Sequence, residues 1–214
     1  MSEKKPLLIF GSAVGRDRYT RVTPRLSRAF NRLLPRTGWS CNGIVIQGPK
    51  GLVRPDRMFE LHRRNYLRFV LGKGFAPYVD LLRAISTVSE ITLIEPWKEL
   101  PKATLYPIRA VEALPHGKWH TGSFDWMLAC AIAEGYKDIT ISGMQFQRGG
   151  EPLGAPACIS YWAGLAVGMG IKLTVLEDCD TLFKTYQLLQ SERQYGREDV
   201  VLLEQPKSRK ARHV

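Results

Sequence analysis

Glu60 and His62, two residues apart in the run Phe59-Glu60-Leu61-His62, are the pair in this chain best suited to proton transfer. A general acid or base must titrate near working pH, and histidine is the side chain whose ordinary pKa lies closest to neutrality. On an extended strand successive side chains face opposite ways. Phe59 and Leu61 are therefore predicted on one side, with Glu60 and His62 on the other, where the carboxylate can orient or charge the imidazole. The same residues could instead form an ion pair with Arg63 or Arg64, and the sequence leaves both readings open. His116 and His120 flank Trp119 in a loop, positioned to meet phosphate or simply to face solvent. His120 is a candidate for substrate contact, and His213 lies in the tail.

A second chemistry is carried by small-residue turns. Thr121-Gly122-Ser123 stands before an apolar, helix-like run, with Ser123 as the expected N-cap and Asp125 in the first turn, where the helix dipole favours an acid. Helix starts of this kind accept phosphate or carboxylate groups on unpaired N–H groups. Gly11-Ser12-Ala13-Val14-Gly15 allows close backbone approach, although it is neither a dinucleotide fingerprint nor a P-loop. Together with Gly143 and Gln147, in the turn after a predicted strand, this gives a nucleotide-binding set of Gly11, Ser12, Thr121, Gly122, Ser123, Gly143 and Gln147. Ordinary strand–helix connections need such residues too. No Asp-x-Asp occurs in the expected loop, and Asp178-Cys179-Asp180 reads as a solvated turn, so neither a metal nor a cofactor is expected.

The elements that would position these groups alternate along the chain. Strands are predicted at 7–10, 43–47, 56–61, 91–94, 138–146 and 172–176. Helices are predicted at 24–34, 65–71, 78–85, 123–134 and 160–167, with turns at 48–51 and Gly135. Such alternation implies an α/β fold: a single Rossmann-like domain, its mostly parallel sheet covered by helices on both faces. Ligands of such sheets sit beyond the carboxyl ends of the strands. That rule gathers the Gly11 turn, the Glu60/His62 segment, the Thr121–Ser123 turn, the 143–150 turn and Glu177/Asp178 on one rim.

A chain of 214 residues, 44% hydrophobic, can bury a full core as one domain over 1–205, followed by a basic tail at 206–214. No apolar run approaches the ~20 residues that span a bilayer, so no membrane partner is expected, and no signal peptide is apparent. Cys41, Cys130, Cys158 and Cys179 lack any Cys-x-x-Cys spacing and read as reduced, structural thiols of a cytosolic protein. Thirty-one Lys and Arg against 20 Asp and Glu leave a formal charge of +11. The positives are densest from Arg16 to Arg68 and again at Lys207–Arg212. Such a field favours polyanions, nucleic acid among them, although no base-reading motif accompanies it.

The segment Ala131-Ile132-Ala133-Glu134-Gly135-Tyr136-Lys137-Asp138-Ile139, with Gly122-Ser123 before it and Ser142-Gly143-Met144-Gln145-Phe146 after it, resembles the signature of the bacterial sialyltransferase fold. A resemblance over most of the chain is to a family of bacteriophage proteins of Rossmann type. It is carried by Gly11-Ser12, Arg57-Met58-Phe59-Glu60-Leu61-His62, Ser123-Phe124-Asp125, Tyr161 to Ile171 and Tyr195-Gly196. The chain departs from the sialyltransferase pattern in its tyrosines, an aspartate and the catalytic histidine. Gln147 and Leu153 stand where tyrosines follow the strand, Gln145 replaces an aspartate, and residues 157–170 hold no counterpart of the catalytic histidine. The resemblance therefore implies that a proton-transfer group has moved, with His62, His116, His120 and Glu60 as candidates. Tyr161 lies near the family's base position, which makes it the second candidate for substrate contact, but tyrosine is a poor base at neutral pH, its ordinary pKa being about 10.

The expectation these readings support is a nucleotide or nucleotide-sugar binding protein, phage-encoded and acting in the cytoplasm of the infected bacterium. In its sharper form it is a metal-independent glycosyltransferase. Phosphates would rest on the amides of Gly11-Ser12 and Gly122-Ser123, and His62, oriented by Glu60, would activate an acceptor hydroxyl. The rival is a basic Rossmann module without turnover that holds nucleic acid, a nucleotide signal or a phage or host protein. A third reading joins them, a transferase acting on modified phage DNA. The sequence fixes no oligomeric state.

Overall fold

A computed structural model describes residues 4–11, 37–41, 46–48, 51–53, 55–144, 154–176 and 179, with backbone alone for 46–48 and 51–53. Ser12, Gln147, the predicted helix at 24–34, Glu177/Asp178 and the tail lie outside the described residues.

The strands are β1 (Leu7–Phe10), β2 (Thr37–Cys41), β3 (Ile46–Gly48), β4 (Gly51–Val53), β5 (Arg57–Glu60), β6 (Glu90–Leu93), β7 (Thr104–Leu105), β8 (Asp138–Ser142) and β9 (Lys172–Val175). The helices are α1 (Arg64–Leu71), α2 (Phe75–Ser86), α3 (Ile108–Glu112), α4 (Ser123–Ala133) and α5 (Ala155–Gly168). Seven strands form one parallel sheet in the order β7-β6-β5-β2-β1-β8-β9. The protein is an α/β, Rossmann-like domain. β3 and β4 form a separate antiparallel pair.

Two cores cover the two faces. On one, Leu7, Ile9, Trp39, Phe59 and Ile141 pack against α4 and α5; on the other, Met58, Ile91 and Leu93 pack against Leu67 of α1 and Val79, Leu82 and Ile85 of α2. Period-two alternation along β5 thus separates Phe59 from Met58. Central strands buried on both faces read as continuous apolar runs, as Leu7–Phe10 does.

Two expectations need correction. The second strand of the sheet is β2, Thr-Gly-Trp-Ser-Cys, rather than 43–47, whose end instead contributes to the β3–β4 pair. Neighbours on both sides hold β2 extended, and Asp56 anchors its base: the Asp56 carboxylate accepts from Gly38 N at 2.6 Å and Asp56 N donates to Gly38 O at 2.7 Å. Here pairing decides the conformation over residue preference. β8 stops at Ser142 rather than 146 because Gly143 turns the chain at φ 70°. The short α3 and the two-residue edge strand β7 were not anticipated, and α5 begins five residues before its expected start.

Arg57 fastens β5, the strand that carries Glu60, to the end of α4. Its guanidinium meets Glu134 at 2.5 Å and Thr92 Oγ1 at 2.6 Å, and lies 5.0 Å from the Trp39 ring and 4.8 Å from Phe59. The Trp39 and Phe59 rings are themselves tilted together at 5.0 Å, a contact that adds about 0.5–1.5 kcal/mol beyond the area it buries. β5 is held rigidly.

Candidate active site

From β1 the chain passes to β2 on one side, and β8 later fills the other. A crevice between such neighbours, at their carboxyl ends, is where open α/β sheets bind ligands. Three sequence-derived turns meet there. Gly11 N donates to Ser142 O at 3.0 Å. A Cβ on Gly11 would come within 2.5 Å of both Gly143 O and the Phe124 ring. Gly11 is therefore glycine because β8 and the first turn of α4 press against it. The start of α5 joins the same place: a Cβ on Gly154 would lie 3.1 Å from Thr121 Cγ2, and one on Gly122 would lie 4.0 Å from Ala155 Cβ.

The amides at this rim are less available than the sequence suggests. The N-cap of α4 is Gly122, not Ser123, and Asp125 at the third helical position turns back on it. The Asp125 carboxylate, 2% exposed, accepts from Thr121 N at 2.8 Å and from Gly122 N at 3.1 Å. Those two N–H groups, like that of Gly11, are taken, which corrects the expectation that they cradle phosphate. A buried carboxylate also offsets the positive end of the α4 dipole. Among the described residues α5 has no acid in its first turn and no side-chain cap, and its N-terminus lies beside Thr121.

Glu60 and His62 stand at the end of β5, on the same rim. β2 lies between β5 and β1, so the separation across the sheet is roughly 10 Å at ~4.8 Å per strand. The alternation holds: Phe59 and Leu61 join the α4/α5 core, while Glu60 turns to the α2 side. Glu60 is fully buried, with both carboxylate oxygens engaged. Oε1 accepts from His62 N at 3.0 Å and lies 2.7 Å from His62 Nδ1; Oε2 accepts from the Tyr78 hydroxyl. The His62 side chain is 39% exposed, and its ring stacks on Tyr66 at 5.7 Å.

Hydrogen bonding to Glu60 raises the His62 pKa, against a smaller opposing effect of burial. Burial, reinforced by the Glu60 charge, raises that of Tyr78, which keeps its hydroxyl a donor. The contact fixes Nδ1 toward the carboxylate and leaves Nε2 as the nitrogen for a reactant, an arrangement suited to a general base. Arg64 is not the partner of Glu60: it pairs with Glu99. Tyr78 was missed. It lies 18 residues away on a helix with no local motif, and the only available cue was that a buried carboxylate needs more than one donor.

His120 has a different setting from the one expected. Its side chain is 1% exposed, stacked between Trp126 at 4.0 Å and Trp162 at 4.9 Å, and Nε2 donates to Gly117 O at 2.9 Å. A ring covered on both faces is a packing element, which corrects its assignment as a substrate contact. The Tyr161 hydroxyl donates to Pro115 O at 2.6 Å, and Trp162 Nε1 donates to Trp119 O at 2.8 Å. Through these bonds α5 holds the loop before α4. Tyr161 still borders an open aromatic group, with its ring 5.5 Å from that of Trp119 and 5.8 Å from that of His116. All four cysteines are thiols, and burial pushes that of Cys130 up, consistent with structural roles. No helix among the described residues is long and apolar enough to cross a membrane.

No protein-family model matches the chain, and no curated protein does. Solved structures are similar in fold. The sialyltransferase CstII from Campylobacter jejuni, in complex with the substrate analogue CMP-3FNeuAc, superposes with a TM-score of 0.50 at 15% identity, covering 80% of this chain and 81% of that one. A variant of sialyltransferase CST-II in complex with CMP gives 0.51 at 16% identity, with the same coverage.

Proposed function

We propose that this protein binds a nucleotide-sugar in the crevice between β1 and β8 and transfers the sugar without a metal, His62 acting as base. The observation that carries this reading is the buried Glu60, which accepts from His62 and Tyr78 at the end of a sheet strand. Fully burying a carboxylate is costly unless it is hydrogen-bonded, and here it holds a half-exposed imidazole at the rim where such folds bind ligands. The likeness in fold to CMP-bound sialyltransferases supports a cytidine nucleotide as the first donor to test.

In this reading the donor phosphate rests near the start of α5, beside Thr121, Gly122 and Ser123 and over the ends of β1 and β8 at Gly11 and Gly143. The sugar extends across β2 toward β5. His62 Nε2 takes the proton of an acceptor hydroxyl as its oxygen attacks the anomeric carbon and the nucleotide leaves. Glu60 stabilises the resulting imidazolium. Ser12 and Gln147 belong to the proposed nucleotide set as well, and a bacteriophage origin with action in the host cytoplasm remains part of the reading.

A thermal-shift screen of CMP-, UDP- and GDP-linked sugars against free nucleotides tests binding, since a ligand of the native state alone stabilises by mass action. CMP-sugars are expected to raise the Tm most. His62→Ala should abolish sugar-dependent release of nucleotide while retaining that Tm shift, with Glu60→Gln slowed less. No stabilisation by any nucleotide would end the proposal.

A further inference from the structure

A trough of about 510 Å³ lies at the corner where α1 turns into α2, walled on its far side by residues 98 and 99. Two ion pairs sit in its lining: Arg64 meets Glu99, and Arg83 meets Asp80 at 3.0 Å. Phe75 lies in it, with the Arg64 guanidinium 5.5 Å from its ring. Three further cations line it from three different segments: Arg68 on α1, Lys73 in the turn between helices, and Lys98 after β6. Among the described residues none of these three has a carboxylate within ion-pair distance. Next to Arg68, Phe69 is 86% exposed, with Tyr66 at 55% one turn before it.

We infer that this trough binds single-stranded nucleic acid, its phosphates on Arg68, Lys73 and Lys98 and a base stacked on Phe69. Cations on separate segments suit successive phosphates of a strand better than one compact anion. Phe69, which follows Arg68 without lining the trough, offers the π-face that an unpaired base leaving it would use, whereas a duplex keeps its bases inside. A flat lipid surface would leave a concave trough unfilled. The site does not depend on the transferase reading. Arg64 and Arg68, four residues apart, share the trough face of α1, and Tyr66, which covers His62, lies on another.

The test is fluorescence anisotropy of the full chain with a labelled oligothymidylate across a salt series. The variant Arg68→Ala/Lys73→Ala/Lys98→Ala should bind at least tenfold more weakly. Its salt slope should be shallower by about 2, from three phosphates at ~0.7 each. A control removing the same charge elsewhere, Arg109→Ala/Lys118→Ala/Lys137→Ala, should stay close to wild type. Phe69→Ala should lower affinity and leave the slope unchanged. Equal losses in both triple variants would overturn the site, since net charge alone would then account for binding. Retention by anionic phosphatidylglycerol vesicles but not by the oligonucleotide would overturn the ligand class. So would an unchanged affinity in Phe69→Ala with inorganic polyphosphate competing as well as the strand.

Discussion

His62 and Gly11 carry the most consequence per atom at this rim. The Glu60 contact favours imidazolium, so the His62 ring should titrate above its ordinary 6.5, and NMR of its Cε1 proton should report this directly. Glu60→Gln keeps a hydrogen-bonding group of the same shape but removes the charge, and the His62 midpoint should fall. A midpoint unchanged by that substitution would mean that the carboxylate does not act on the ring. Gly11 tests sterics instead. A methyl group there would sit 2.5 Å from the carbonyl oxygen of Gly143, which belongs to a strand-end backbone and cannot rotate away as a side chain could. Gly11→Ala should therefore cost about 1–3 kcal/mol in urea unfolding, the range for overpacking, and weaken nucleotide binding by parting β1 from β8. An unaltered midpoint would show that the rim yields more easily than this contact implies.

Among the elements, α4 shows how much a local pattern can say. Its start, its Gly135 stop and its position before a buried strand were all legible, because capping acids and stop glycines act within a few residues. Its cap was legible only in part: Asp125 was expected to suit the dipole, yet it binds the very amides reserved for phosphate. Asp125→Ala should thus lower stability by about 1–2 kcal/mol through the lost cap, read as a drop in Tm. A neutral result would mean that solvent satisfies Thr121 and Gly122 equally well. β1, β5, β6, β9, α1 and α2 were readable from period and apolar content. β2 was not, since Thr-Gly-Trp-Ser-Cys has no strand pattern and is extended only because β1 and β5 flank it. The Glu60–His62 contact, by contrast, was foreseeable from local alternation, while Tyr78 and the burial of His120 depend on helices packing from afar.

At the scale of the whole molecule, pH should act on stability from two sides through two different pairs. Hydrogen bonding to Arg64 holds the Glu99 carboxyl at about 2, below its ordinary 4.5. A depressed carboxyl stabilises the fold fully above its unfolded value and loses that contribution as pH falls toward the folded one. His62 works in the opposite sense: with its pKa raised above 6.5, its contribution is complete below 6.5 and disappears as pH climbs through the raised value. The formal charge of +11 sharpens the acid side, because each carboxylate that takes a proton adds to repulsion among the 31 Lys and Arg side chains. Melting curves of wild type, Glu99→Gln and Glu60→Gln across pH should separate these effects. The Tm deficit of Glu99→Gln should be fully developed above pH 4.5 and shrink toward pH 2. The deficit of Glu60→Gln should be largest near pH 5–6.5 and narrow as the solution becomes alkaline. Deficits that stay constant across both windows would assign these pairs to packing alone, and would deny His62 the charge coupling on which its role as a base depends.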